Sequence, residues 1–439
     1  MTSAATHTSE MNEAEIRAGA KEFLFPCAPP VYKDPLVLVG GNGSVVVDSS
    51  GREYLDLFAG ILTTGVGHCH PEVIERIRDQ LGVLGHTSSM YVTENIVGAA
   101  KRLANISPGD LTQTFFTNSG TEAVETAALL AYQYTGRSEI IALRHGYSGR
   151  STFSTNMTGH AAWRPAATSV AGIKHAISPY PYRCPFKTPC DDTCVDRFVD
   201  DLEEVILTTT SGNPAAFLAE TIQGVGGYIT PPPGYFQGAA EVIRKYGGLF
   251  ICDEVQAGFG RTGNKWFGIE HWDVVPDIMI VAKGIANGFP VGATITTPEI
   301  AEAWKAKTIS TFGGNPVSMA AASATMDVMM AEDTPARSAA RGAQLRDGMD
   351  ALAEKYDWIG EVRGMGLMQA FEFVVDPETK EPDPKRTGAF MEATKEEGVL
   401  VGAAGLYGNV IRIGPSMLIS EAETTQAVES LGRACERVD

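Results

Sequence analysis

The sequence predicts an α/β protein: a mainly parallel sheet covered by helices on both faces, followed by a separate α+β region. Three patterns carry this. From about residue 60 to 325, short apolar segments alternate with helical ones, as strands buried on both faces do. After about residue 330, long helices are set against a few strands. Ahead of residue 60 the chain reads as an antiparallel meander. A length of 439 residues allows one large core or two to three smaller ones.

Residues 1–35 form an arm with a short helix at Asn12–Glu22 and a Pro-rich exit through Pro29-Pro30. Leu36–Val39 and Ser44–Val47 flank the turn Gly40-Gly41-Asn42-Gly43, and Ser50-Gly51 turns the chain again before Tyr54–Leu57. Strands are expected at Gln113–Thr117, Ile140–Leu143, Ala216–Glu220, Leu249–Asp253, Ile278–Ala282 and Ala293–Thr297, with helices at Thr121–Tyr134 and Tyr235–Tyr246. In the last region a helix at Ala336–Tyr356 leads to strands at Ile359–Arg363 and Leu367–Phe373. A helix at Thr387–Glu397, a strand at Val410–Ile413 and a helix at Ser420–Arg437 complete it. The loop Ser178–Thr193, with Pro179, Pro181, Pro185, Pro189, Cys184 and Cys190, reads as an insertion over the core.

A formal net charge of −18 argues against nucleic acid, whose phosphates need a basic footprint. The apolar runs are strand-sized, so no membrane span is expected. The start Met1-Thr2-Ser3-Ala4-Ala5-Thr6-His7 lacks the basic and apolar parts of a signal peptide. Seven cysteines at irregular spacing do not make a disulfide scaffold, and together these features predict a cytoplasmic protein.

Four pieces carry chemistry. Leu249-Phe250-Ile251-Cys252-Asp253-Glu254-Val255-Gln256 is an apolar strand ending in two carboxylates, at the strand end where open α/β sheets bind ligands. Taken alone, it favours Asp253 as a simple turn cap. Ile278-Met279-Ile280-Val281-Ala282-Lys283-Gly284 ends in a lysine that burial can turn into a nucleophilic amine. Taken alone, that lysine could equally reach out to solvent. Together they match what pyridoxal 5'-phosphate (PLP) needs: a lysine for the Schiff base and an acid that keeps the pyridine nitrogen protonated. Phe115-Phe116-Thr117-Asn118-Ser119-Gly120-Thr121-Glu122 runs from strand to helix, and that helix N-terminus suits a phosphate. Gly120 allows close approach, and Ser119 or Thr121 can add a hydroxyl; the same pattern also marks ordinary capping. A second hydroxyl-bearing turn is Ser310-Thr311-Phe312-Gly313-Gly314-Asn315-Pro316. Finally, Tyr147 in His145-Gly146-Tyr147-Ser148-Gly149-Arg150 can stack on a cofactor ring or pack on the core.

In this order the set resembles a class-III (ω-type) PLP-dependent aminotransferase of fold type I. The resemblance runs from Phe58-Ala59-Gly60 and Gly67-His68-Cys69-His70-Pro71 to Ile411-Arg412-Ile413. Its most specific part is Asp253-Glu254-Val255-Gln256-Ala257-Gly258-Phe259-Gly260-Arg261-Thr262-Gly263, with Lys283 thirty residues after Asp253. It implies a mostly parallel seven-stranded sheet in a large domain (61–325). It also implies a smaller α+β domain from both chain ends (1–60 and 326–439). Lys283 then matches the Schiff-base lysine and proton shuttle, and Asp253 the partner of the pyridine nitrogen. Val255 falls behind the ring, Gln256 at the ring hydroxyl, Tyr147 on the stacking face, and Ser119, Gly120 and Thr121 at the phosphate. Thr311 matches a phosphate ligand given by the neighbouring subunit, which implies a homodimer or a dimer of dimers with shared sites. Ser148 departs from the family, which usually has His there. Glu220 matches a Glu that in several relatives pairs reversibly with an Arg like Arg412, freeing it to take an α-carboxylate; a permanent salt bridge is the plainer alternative. Arg150 could take a distal carboxylate or sit at the surface.

The expected partners are a small-molecule amino donor and a 2-oxo acid acceptor, handled in turn by ping-pong kinetics. Phe58 to Ser88 and the Pro/Cys loop are most similar to the alanine–glyoxylate and β-alanine–pyruvate branch. That favours a small amino acid or ω-amino compound as donor and pyruvate or glyoxylate as acceptor. The rivals are a 4-aminobutyrate-type transaminase using 2-oxoglutarate, a same-fold PLP phospho-lyase, and a PLP-binding protein with a non-catalytic role. Cys184, Cys190 and Cys194 do not have standard zinc-finger spacing, so no metal is expected. Gly224-Val225-Gly226-Gly227 is followed by Pro231-Pro232-Pro233 rather than by a helix, and so is no dinucleotide fingerprint.

Overall fold

Asn12 caps the first helix, Glu13–Phe23: its side chain accepts from Glu15 N–H while the Glu15 carboxylate returns to Asn12 N–H. The computed structural model describes residues 11–28, 30–165, 169–186 and 194–439, so Pro29, Pro189, Cys190 and Thr193 lie outside the described residues. The meander follows as β1 (Leu38–Asn42), β2 (Val45–Asp48) and β3 (Glu53–Asp56). Asn42 pairs with Val45, so the first turn is shorter than expected and Gly43, at φ 58°, supplies its left-handed corner. Gly41 belongs to the strand because His68 packs on it: a Cβ there would stand 3.0 Å from His68 Cβ.

The large sheet holds β4 (Gln113–Thr117), β5 (Ile140–Leu143), β6 (Ile173–Ala176), β7 (Ala216–Glu220), β8 (Leu249–Asp253), β9 (Ile278–Val281) and β10 (Gly292–Thr296). Their order is β4-β10-β9-β8-β7-β5-β6, and β10 alone runs antiparallel to its neighbours. Alternation sorts the side chains. Phe217, Phe250 and Met279 face one core with Phe198 and Phe236, whereas Leu218, Ile251 and Ile280 face another with Ala123 and Ala127. The edge strand β6, Ile-Lys-His-Ala, was not expected because it lacks an apolar run.

The last region adds β11 (Ile359–Met365), β12 (Met368–Asp376), β13 (Glu381–Pro382), β14 (Val399–Leu400), β15 (Gly402–Ala404) and β16 (Val410–Ile413). β11-β12-β16-β15 form an antiparallel sheet with β13 against β12, while β14 leaves it to pair in parallel with β3. The Pro/Cys loop is tied to this sheet by buried charges. Glu372 accepts from Arg363 Nη1 at 2.6 Å and also binds the Tyr180 hydroxyl and Arg183 Nε. Arg363 Nη1 also bonds the Glu361 carboxylate, and its Nε donates to the Gly227 carbonyl at 2.7 Å. Beside this cluster Cys184 Sγ lies 3.6 Å from Cys194 Sγ; Cys184 is a free thiol and Cys194 is disulfide-bonded. Among the described residues no helix is long and apolar enough to cross a membrane.

Candidate active site

β7, β8 and β9 deliver three charged residues to one place. Glu220 pairs in register with Asp253, Asp253 with Ile280, and Lys283 follows three residues on. All three line a cavity of about 360 Å³ beyond the carboxyl ends of the strands. Lys283 is half-buried and its backbone sits at φ 45°. A left-handed conformation costs an ordinary residue about 1–2 kcal/mol, and such strain gathers at functional sites. Burial lowers the proton affinity of its ammonium, while Asp253 and Glu220 oppose that shift.

Asp253 Oδ1 accepts from Val255 N–H at 3.0 Å. Burial pushes its carboxyl above the ordinary range, and the Val255 bond and the Lys283 charge draw it back. The next residue, Glu254, faces away from the cavity. It accepts from Gly268 N–H (2.9 Å), Ile269 N–H (2.7 Å) and the Thr221 hydroxyl (3.0 Å), and so braces the following loop.

The helix Gly120–Thr135 opens onto the same cavity through Ser119, Gly120 and Thr121. The two hydroxyls expected there are engaged elsewhere. Ser119 Oγ caps the helix at Glu122 N–H and donates to the Glu122 carboxylate. Thr121 Oγ1 bonds Ser154 Oγ at 2.6 Å and accepts from the backbone of Arg150 and Ser151 at 3.2 Å. What remains for an anion is the first-turn N–H groups and the helix dipole. Val255, Gln256, Tyr147 and Arg150 line the cavity as well, with Arg150 exposed at its mouth. Tyr147 N–H donates to Glu220 Oε1 at 2.8 Å, and its ring meets Trp163 edge to face at 5.6 Å.

Two residues are placed differently from the rest. Thr311 is exposed and does not line the cavity of its own chain. Arg412 is buried but forms no ion pair with Glu220 among the described residues. Its Nη1 and Nη2 reach the carbonyls of Gly224 (3.4 Å) and Ala403 (3.3 Å). Its guanidinium lies over the Phe58 ring at 5.0 Å and over the Tyr228 ring at 5.8 Å. Glu220 spends its second oxygen on Gly224 N–H at 2.8 Å. In this arrangement the two side chains are apart, so a permanent salt bridge is not seen among the described residues, and Glu220 and Arg412 stand as an opened pair would.

Sequence reasoning missed Thr63, Phe289, Phe58, Tyr228 and Trp163. Thr63 follows a left-handed turn at Ala59–Leu62, in which Ile61 has φ 65°. The Asp56 carboxylate pins this turn, accepting from Phe58 and Ala59 N–H (both 2.9 Å) and bonding His68 at 2.8 Å. Nothing local in the sequence announces such a turn, because β-branched residues avoid positive φ.

The residues present fit PLP. A Cβ on Gly120 would stand 3.6 Å from Ala282 Cβ and 3.7 Å from Val255, among the residues that line the cavity. The fold leaves room for that methyl group, so the bare Cα serves the cradle rather than the packing. Gln256 Oε1 is buried without a hydrogen-bond partner. Gly224 makes room for that side chain, since a Cβ on it would come within 2.1 Å of Gln256 Nε2.

Known proteins resemble this chain in sequence and in fold. The sequence model of the class-III aminotransferases matches residues 28–435. A mitochondrial alanine–glyoxylate aminotransferase 2 homolog from Arabidopsis thaliana is 42% identical over 412 residues, covering 94% of this chain and 85% of that protein. An (S)-enantioselective ω-transaminase from Thermomicrobium roseum superposes with a TM-score of 0.91 at 35% identity, covering 98% of this chain and all of the other. An amine transaminase from an uncultivated Pseudomonas species, solved in its PLP-bound form, gives 0.89 at 32% identity over 95% and 98% of the two chains. The chain therefore belongs to the class-III aminotransferases, PLP-dependent enzymes of fold type I.

Proposed function

We propose that this aminotransferase moves an amino group from a small amino acid or ω-amino compound to pyruvate or glyoxylate. One observation carries the reading: Lys283 and Asp253 open, from adjacent strands, onto the cavity that the Gly120 helix N-terminus also enters. The name of the Arabidopsis relative supports the choice of acceptor.

When bound, PLP supplies an electron sink beside the amino-bearing carbon. Lys283 would anchor it and, as a free amine, take the proton from that carbon; burial lowers the proton affinity of this amine. Asp253 holds a proton on the pyridine nitrogen, and facing that cation relieves the cost of its own burial. The N–H groups of Gly120 and Thr121 receive the phosphate. Val255, Gln256 with its unpartnered oxygen, and Tyr147 backed by Trp163 all line the cavity and would hold the ring. Arg412 receives the carboxylate on the reacting carbon. One cavity that takes two substrates in turn implies ping-pong kinetics.

The working unit in this proposal is at least a homodimer. Thr311, exposed on its own chain, would complete the neighbouring site. The exposed apolar side chains of Met90, Tyr91, Val92, Ile309 and Phe312 support a partner on that face.

The test is a donor panel of L-alanine, β-alanine and 4-aminobutyrate against pyruvate, glyoxylate and 2-oxoglutarate. Turnover with pyruvate or glyoxylate and parallel double-reciprocal lines are expected. Preference for 2-oxoglutarate would replace this reading with the 4-aminobutyrate type, with Arg150 at the mouth as second carboxylate receptor. Ammonia released without an acceptor would replace it with the lyase.

A further inference from the structure

The loop that carries the lysine has left-handed backbone at both ends. Lys283, at φ 45°, opens a 3-10 turn that runs to Ala286, and Asn287 closes it at φ 47°. Asparagine enters this region more readily than most residues, whereas lysine seldom does. The first of the two is thus the strained one and the second the permissive one. Ile285 and Ala286 between them are fully buried. Beyond them Gly288, Phe289, Pro290 and Val291 line the cavity. The turn therefore carries Lys283 at one end and a stretch of cavity wall at the other.

Asn287 does more than tolerate its conformation. Its Oδ1 accepts from Val66 N–H at 3.1 Å, and its Nδ2 donates to the Gly67 carbonyl at 2.8 Å. One amide side chain thus pairs with backbone as a neighbouring strand would. The segment it grips is itself fixed from two further directions. Gly43 and His68 exchange backbone bonds of 2.9 and 2.8 Å, which tie it to the turn between β1 and β2. Met417 N–H donates to the Gly65 carbonyl at 2.8 Å, which ties it to the last region. Gly67 packs so closely on that first turn that a Cβ would stand 2.9 Å from Gly43 Cα. Strained backbone persists only where its surroundings over-determine it. Here β9 delivers the near end of the turn, and Asn287 fastens the far end to a segment that is held already.

We propose that Asn287 is a positioning residue for the reaction: its two-pronged bridge to Val66 and Gly67 holds the turn so that Lys283 keeps its left-handed backbone and presents its amine to the cavity. Asn287 does not line the cavity and acts through Lys283. Anchoring PLP and moving a proton both need that amine in one place, and a displacement of about 1 Å costs such a step about 10²-fold. The proposal rests on the aminotransferase reading and adds to it a residue from outside the cavity.

The test compares the PLP-loaded parent with Asn287→Gly and Asn287→Asp. Glycine accepts the left-handed backbone and deletes the bridge. Aspartate also accepts that backbone and keeps the acceptor for Val66 N–H, but it sets an oxygen against the Gly67 carbonyl. If Asn287 merely suits its φ, both variants match the parent. If the bridge positions Lys283, both lose, aspartate at least as much as glycine. Hydrogen exchange of the Ile285 and Phe289 amides, both bonded within the loop, should quicken about tenfold while β8 and β9 keep the rates of the parent. PLP binding, followed by absorbance titration, should weaken about tenfold. In single half-reactions with L-alanine or, if it is faster, β-alanine, the rate at saturation should fall about 10²-fold and the half-saturating concentration hold within about threefold. Variants that bind PLP and react like the parent would overturn the proposal while leaving the aminotransferase intact. So would protection lost evenly through the chain with the rate per folded molecule unchanged. A parent that binds PLP yet takes nitrogen from no donor would remove the function reading, and the proposal would then be judged on exchange and PLP binding alone.

Discussion

Buried carboxylates meet buried arginines in two regions of this molecule, with opposite results. In the cluster that ties the Pro/Cys loop to the last sheet, Glu372 is matched by Arg363, Arg183 and Tyr180. Pairing there outweighs burial: the Glu372 carboxyl is held below its ordinary range, and the Arg363 guanidinium is held above its own. In and beside the cavity, Asp253 and Glu220 are driven up, and Lys283 and Arg412 down, because burial dominates and no acid–base pair closes among the described residues. One region spends its charges on fixing the fold. The other keeps them uncompensated and available to a cofactor and substrate.

The two regions also differ in sign with pH. A carboxyl held low, such as Glu372, contributes stability that is present above its ordinary value and lost as pH falls through the lower one. Glu254, braced beneath the cavity and pushed up to about 7, contributes stability that is full below about 4.5 and lost as pH rises through 7.

The largest expected effect lies in the cavity. Lys283→Ala should cut turnover by more than about 10³-fold, the scale of a lost general base and nucleophile, while the melting temperature without cofactor holds or rises. Retained transamination would sink the role given to Lys283. Glu372→Gln tests the other region. It leaves Arg183 without its carboxylate and Arg363 with Glu361 alone, and breaking such a buried pair from one side costs about 3–5 kcal/mol. Denaturant unfolding should show that loss; a change below about 1 kcal/mol would erase the contrast between the regions. The smallest effect sharpens it. Gly120→Ala should leave stability within about 1 kcal/mol, because its Cβ meets only ordinary contacts. PLP binding should nevertheless weaken about tenfold, as followed by absorbance titration.

Much of this was legible in the sequence, for identifiable reasons. β7, β8 and β9 are continuous apolar runs, which announces their place; the chemistry was legible only from Asp253 and Lys283 taken together. Gly120 was legible because a small residue after a strand and before a helix has few other uses. The partners of the Ser119 and Thr121 hydroxyls, Glu122 and the 150–154 segment, were not legible, because they compete for the same atoms only once the chain is folded. The direction of β10 and the existence of β6 depend on pairing, which no local pattern encodes. The setting of Arg412 was the least legible part: Phe58, Gly224 and Tyr228 meet only in the folded chain.

The pairing of β14 with β3 has a consequence for how the molecule is made. Val399 completes a sheet begun at Leu55, and Leu57 N–H waits for the Leu400 carbonyl. A nascent chain emerging from the ribosome therefore carries β3 unfinished until the whole large sheet has been made. Contacts of such long sequence separation slow folding and leave strand edges exposed to other chains. The segment that carries Phe58 is made before the large sheet and closed after it, so completion of this part of the fold is a late event in the life of each new molecule.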